Sequence, residues 1–105
     1  MEIICPTQCR DLLAEKQDVV LLDIRENYEF ESCHIDALHI PMGEIERIQN
    51  TVPKEKQVIL MCQSGRRAEA LGNFLETELG YQHVSIMEGG ITNWKEKVDP
   101  SLQMD

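Results

Sequence analysis

No stretch of the 105-residue sequence approaches the ~20 consecutive apolar residues that a bilayer-spanning helix requires, so no membrane span is expected. The opening residues, Met1-Glu2-Ile3-Ile4-Cys5-Pro6, lack the basic segment and apolar core of an export signal, and the expected location is cytoplasmic. No internal repeat or low-complexity segment interrupts the chain. Positive charge is scarce: ten Lys and Arg stand against nineteen Asp and Glu, a formal net charge of −9. Such a balance argues against nucleic acid or an anionic membrane surface as partner. It also opposes an approaching anion, but beyond ~8–10 Å that field is largely screened at physiological salt, so nearby arginines decide anion binding. A basic protein partner is favoured by the same field.

Cysteine is sparse as well. Cys5, Cys9, Cys33 and Cys62 are the only four, and without an export signal they are expected to be free thiols. Cys5-x3-Cys9 is not a common zinc spacing and has no second pair; His34 and His39 form no metal-binding pattern either. These histidines are expected to make turn and strand-end hydrogen bonds, and His83 to begin a strand. No metal site is expected.

The rest of the chain reads as one domain with a modest core. Residues 2–5 form a short strand, and Pro6 opens a helix with Leu12 and Leu13 inside, closed by Gln17-Asp18. Residues 19–23 are a continuous apolar run ending in Asp23, the pattern of a strand buried on both faces. Residues 26–31 make a helical turn, and residues 42–48 a short helix with Ile45 and Ile48 inward. A polar surface connection follows over 49–56. Residues 58–62 are a second buried run. The next helix extends to Leu79, with Leu71, Phe74, Leu75 and Leu79 on one face and Gly80 as its stop. Residues 81–87 are the last strand. Gly89-Gly90 permits a close backbone pass over the sheet edge and leads into a helix anchored by Trp94. From Lys95 onward the chain reads as a ragged end. Strands alternating with helices predict an α/β fold with a mainly parallel sheet and helices on both faces.

The chemistry concentrates where the second buried run ends. Cys62 closes the strand, Gln63-Ser64-Gly65-Arg66-Arg67 forms a tight loop, and a helix opens behind it. Parallel sheets place ligands at this position, between strand carboxyl ends and helix N-termini. A free thiol ionises near pH ~8.5, and shifting it by about two units needs roughly 2.7 kcal/mol in favour of the thiolate. Hydrogen bonds to a charged group contribute roughly 1.5–3 kcal/mol each, so two aimed donors suffice. The backbone N–H groups of residues 63–67 supply them, with Gly65 as the residue able to take φ > 0 and curl the loop. Arg66 and Arg67 lie where positive charge opposes the helix dipole. That placement fits an anion held between the arginines and the amides; the alternative is a pair of solvated surface residues.

Cys62-Gln63-Ser64-Gly65-Arg66-Arg67 resembles the active-site loop of rhodanese-family sulfurtransferases. Further segments share the likeness: Asp23-Ile24-Arg25 with the following Glu29-Phe30, His34-Ile35-Asp36-Ala37 leading to Ile40-Pro41, and Gly89-Gly90 followed by Trp94. The likeness spans about residues 2–98, leaving 99–105 as a tail. It implies a single rhodanese-like domain with a five-stranded sheet, and a persulfide carried on Cys62. Cys62 is implied as nucleophile and Arg67 as holder of the loop and of the donor's anionic end. Gln63, Ser64, Gly65 and Arg66 are implied to bind the donor, and Asp23, Arg25 and Glu29 to brace the wall beside the loop. Arg25 and Glu29 are expected to pair at i, i+4. The implied donor is a small anion such as thiosulfate, the acceptor a thiophile or a sulfur-accepting protein, with no cofactor. A persulfide carrier and a non-enzymatic binding module remain alternatives. A phosphatase or arsenate reductase of the same fold class carries one more residue between Cys and Arg. Cys33 and Asp36 occupy positions where the family usually has glycine, and Cys33 is either a resolving thiol or a small packed residue.

Overall fold

The computed structural model describes residues 1–15 and 18–103. Ten elements alternate among the described residues: β1 (Glu2–Ile4), α1 (Pro6–Glu15), β2 (Val19–Asp23), α2 (Asn27–Ser32), β3 (Leu38–His39), α3 (Ile45–Thr51), β4 (Gln57–Met61), α4 (Arg66–Thr77), β5 (His83–Met87) and α5 (Gly90–Lys97). The predicted helix close at Gln17-Asp18 falls partly outside the described residues.

The five strands form one sheet in the order β1-β5-β4-β2-β3, and every pairing is parallel. β4 lies at the centre, and its five residues are all buried. Val58 and Leu60 face one side, where Leu22, Ile48, Leu71 and Leu75 complete a core beneath α3 and α4. Ile59 and Met61 face the other, packed with Cys9, Leu21, Met87 and Ile91 under α1 and α5. Helices therefore cover both faces, as the unbroken apolar runs require. No helix among the described residues is long and apolar enough to cross a membrane.

Several boundaries differ from the sequence-based expectation. α3 covers Ile45–Thr51 rather than 42–48, because a turn from Glu44 N–H to Pro41 O (2.9 Å) delays its start. The expected inward pattern survives the shift: Ile48 is buried and Ile45 packs against the core. α4 begins at Arg66 and ends at Thr77, before Leu79 and Gly80. Its buried stripe consists of Ala68, Leu71, Gly72 and Leu75, which leaves Phe74 outside that stripe and 42% exposed. β5 starts at His83. Tyr81, expected to lie in that strand, is instead a buried tether whose hydroxyl donates to Val52 O at 2.7 Å. α5 continues past Trp94 to Lys97, so residues 95–97 are helical where a ragged end was expected. Lys95 and Lys97 lie in its last turn, where cations complement the helix dipole. Lys95 Nζ also donates to the carbonyls of Pro100 and Leu102.

Candidate active site

Cys62 directly follows β4 and is fully buried. Gly65 takes φ +104°, a left-handed conformation that L side chains rarely adopt, and turns the chain into α4. Its N–H donates to Cys62 Sγ at 3.0 Å, and the Ala68 N–H approaches the same sulfur at 3.5 Å. Ala68 lies one residue beyond the expected 63–67 set. The ring closes through the first turn of the helix, whose N–H groups lack intrahelical acceptors. That property of helix starts was the available signal for Ala68.

The charged residues pair differently from the local spacing. Arg25 is 2% exposed and grips the fully buried Asp23 at two points, Nε to Oδ1 (3.0 Å) and NH2 to Oδ2 (2.9 Å). It also donates to Cys33 O (2.7 Å), Glu29 O (3.4 Å) and Gln63 Oε1 (3.4 Å). The Glu29 carboxylate instead receives both terminal nitrogens of Arg67, at 2.7 and 2.8 Å. The expected Arg25–Glu29 carboxylate pair is absent because Arg25 precedes α2, where i, i+4 helical spacing does not hold. Arg25 is thus the hub joining β2, the segment after α2 and the Cys62 loop. The Glu29–Arg67 pair ties α2 to the start of α4.

Hydrogen bonding to Arg67 holds the Glu29 carboxyl below its ordinary value of 4.5, and the same bond raises Arg67. A carboxylate with a depressed folded-state pKa stabilises above its unfolded pKa, and loses that contribution as pH falls through the folded value. The wild-type protein is therefore expected to lose stability as pH drops below about 4.5. Glu29→Gln should show a shallower decline in thermal midpoint over that window. Identical slopes for the two proteins would remove Glu29 from this linkage.

The underside of the loop rests on α5. Ile91 N–H donates to Cys62 O at 2.9 Å and Thr92 N–H to Gln63 O at 3.4 Å. The Gln63 side chain bridges outward, its Nε2 donating to Thr92 Oγ1 at 3.2 Å. Gly90 passes so close that an added Cβ would lie 2.2 Å from Cys62 O and 2.6 Å from Gln63 O. The close pass expected of Gly89-Gly90 is thus made against the loop backbone rather than over the sheet edge. Thr92 was not identified from sequence; only its neighbourhood to the glycine pair pointed there.

Ser64 and Arg66 are exposed. Arg66 is without an ion-pair partner among the described residues. Together with Gly65, Met87, Glu88 and Gly89 they line a cavity of about 200 Å³ beside the loop.

The remaining thiols lie apart from this arrangement. All four cysteines are free. Cys33 packs with the α1/α5-side cluster, whereas Cys62 belongs to the cluster on the α3/α4 side. Cys9 is buried, and desolvation pushes its thiol up to about 12. Cys5 is lowered by its hydrogen bond to the Thr7 hydroxyl, at 3.1 Å. His34 and His39 bond to the carbonyls of Phe30 (2.9 Å) and Arg25 (2.8 Å), and both rings stack on Phe30. Among the described residues, no group of three His, Cys, Asp or Glu side chains is placed to hold a metal ion.

The chain is similar to known proteins over most of its length. The rhodanese-like domain profile matches residues 6–97. The chain is 32% identical over 84 residues to a protein named thiosulfate sulfurtransferase GlpE from Coxiella burnetii, covering 79% of this chain and 78% of that one. It is 32% identical over 80 residues to the putative sulfur carrier protein YrkF of Bacillus subtilis, covering 75% of this chain and 43% of that protein. The crystal structure of a rhodanese-like domain protein from Staphylococcus aureus superposes with a TM-score of 0.80 at 25% identity, over 100% of this chain and 99% of that one. With its profile match, its wholly parallel five-stranded sheet and its Cys62 loop, the chain belongs to the rhodanese-like domain family.

Proposed function

We propose that this protein is a sulfurtransferase that carries a sulfane sulfur as a persulfide on Cys62, with thiosulfate or a similar small anion as donor. The observation that carries this reading is the aim of the Gly65 and Ala68 amides at Cys62 Sγ, at 3.0 and 3.5 Å. Both N–H groups point at the one sulfur that acts as the nucleophile in this reading. The Cys62 thiolate attacks the outer sulfur of thiosulfate. A new S–S bond forms, the donor's own S–S bond breaks, and sulfite departs with the electron pair. In the second step an acceptor nucleophile attacks the terminal persulfide sulfur, and the Cys62 thiolate leaves. Cyanide serves as acceptor in an assay; a small thiol or a protein cysteine does so in the cytoplasm.

The two arginines divide the labour. Arg67, engaged at two points by Glu29, holds the loop and places its guanidinium within electrostatic reach of Cys62. Arg66, exposed at the mouth, recruits the donor anion. Arg66→Ala is expected to raise KM for thiosulfate up to about fivefold with kcat little changed, the scale of an exposed ionic contact. Arg67→Ala is expected to lower kcat/KM about tenfold or more with the fold retained. Steady-state kinetics on both variants checks this division. An unchanged kcat/KM for Arg67→Ala would remove that residue from the site.

A carrier that passes its sulfur to one dedicated protein is the second reading, favoured by the likeness to a protein named as a putative sulfur carrier. The deciding experiment is intact mass after incubation with thiosulfate, then after donor removal and addition of cyanide. Gain of one sulfur atom on Cys62 that cyanide removes supports the enzyme. Loading from a persulfidated protein but not from thiosulfate supports the carrier. No loading from either donor refutes persulfide chemistry here.

A further inference from the structure

The first N–H groups of a helix have no intrahelical acceptor and must find partners elsewhere. In α5 those of Ile91 and Thr92 find the carbonyls of Cys62 and Gln63, at 2.9 and 3.4 Å. The chain has no cis peptide among its described residues, and in a trans peptide the C=O and the following N–H point in opposite directions. Drawing the two carbonyls toward α5 therefore turns the N–H groups of Gln63 and Ser64 away from it. α5 packs through Ile91 on one face of the sheet, while Cys62 belongs to the core on the other. The Gln63 and Ser64 amides accordingly face the side where the Cys62 side chain lies. Neither amide has an acceptor among the described residues.

We propose that the N-terminus of α5 is the template that aims the first two loop amides at the outer sulfur of a Cys62 persulfide, with Gly90 and Thr92 as its positioning residues. This rests on the persulfide reading above. Gly65 and Ala68 already serve Sγ itself. The amides of Gln63 and Ser64 supply donors for the second sulfur, which carries the charge once the persulfide forms. Gly90 is required because it meets the loop backbone at φ +62°, and a Cβ would be 2.2 Å from the Cys62 carbonyl oxygen. Thr92 adds a side-chain anchor: its hydroxyl accepts from Gln63 Nε2, while Gln63 Oε1 accepts from the buried Arg25. The loop is thereby held between β2 and α5.

The test compares wild type with Gly90→Ala, Thr92→Val and Thr92→Ser after loading with thiosulfate. Intact mass gives the fraction of protein carrying the extra sulfur and its lifetime once donor is removed. Amide proton and nitrogen shifts are recorded for Gln63 and Ser64 before and after loading, and thermal midpoints for every protein. In wild type both amide protons should move downfield on loading. Gly90→Ala should hold the sulfur about tenfold less long, with little amide response. Thr92→Val should shorten the lifetime about fivefold, the scale of one hydrogen bond, and Thr92→Ser should restore it. A merely structural role would lower the midpoints and leave the lifetime in the folded protein unchanged. Should Gly90→Ala not fold, the Val and Ser pair at position 92 decides alone. Wild-type lifetimes in the folded variants, or silent Gln63 and Ser64 amides in loaded wild type, overturn the template. A wild type that takes up sulfur from neither thiosulfate nor a persulfidated protein overturns the reading beneath it, and the template with it.

Discussion

Cys62→Ser is expected to reduce sulfur transfer to background while leaving the fold intact. Serine nearly matches cysteine in size, and its hydroxyl oxygen accepts a hydrogen bond from the Gly65 N–H as the sulfur does. It cannot supply the chemistry. A hydroxyl is far less acidic than a thiol and far less nucleophilic toward sulfur, and the proposed intermediate requires an S–S bond. The other three cysteines serve as internal controls. Cys9 is buried with its thiol pushed up to about 12, so little thiolate is available near neutral pH. Cys33 packs with the cluster on the opposite face from Cys62. Thiocyanate formation from thiosulfate and cyanide, with intact mass after loading, measures the outcome. Substantial turnover by Cys62→Ser would assign the nucleophile elsewhere, and single serine variants at the other positions would locate it.

Arg25→Leu is expected to cause a large loss of stability. Arg25 and Asp23 are 2% and 0% exposed and joined at two points. Removing the guanidinium leaves a buried carboxylate without its counter-ion, which costs about 3–5 kcal/mol. Domains of this size have total stabilities of about 5–15 kcal/mol, and each kcal/mol shifts the midpoint by about 4–8 °C. The midpoint should therefore fall by about 12 °C or more. The double variant Asp23→Asn, Arg25→Leu should recover part of this, because the stranded charge is gone. Transfer activity should stay low in the double variant, since Gln63 and the Cys33 carbonyl still lack the Arg25 donors. A midpoint for Arg25→Leu within about 4 °C of wild type would show that the Asp23–Arg25 pair does not carry this stability.

The elements most legible in the sequence were those that repeat a local rule. Residues 19–22 of β2 and 58–61 of β4 are unbroken apolar runs, and a strand covered on both faces needs such a run wherever it lies in the chain. Gly65 was legible for a similar reason: a tight passage from strand to helix calls for a left-handed residue, and glycine adopts φ +104° without steric cost. The Cys62 loop could thus be found, and its family resemblance stated, from residue types and spacing. Helix boundaries were less legible, because hydrophobic period marks a face and not an end. Phe74 fits the spacing of Leu71 and Leu75 yet points past the buried stripe.

The sequence by itself determined the class of fold, the nucleophile candidate and the left-handed turn behind it, since each depends on neighbours within one short segment. Only the tertiary structure decided which charge meets which. Glu29 lies four residues from Arg25 but gives its carboxylate to Arg67, 38 residues away in the chain. Gly90 is fixed by the carbonyl of Cys62, on a different element altogether. The physical reason is common to both. Local spacing sets where a backbone runs, whereas the partner of a side chain or an orphan helix amide is whatever the packed sheet brings within 3 Å, and parallel strands bring distant segments to one edge.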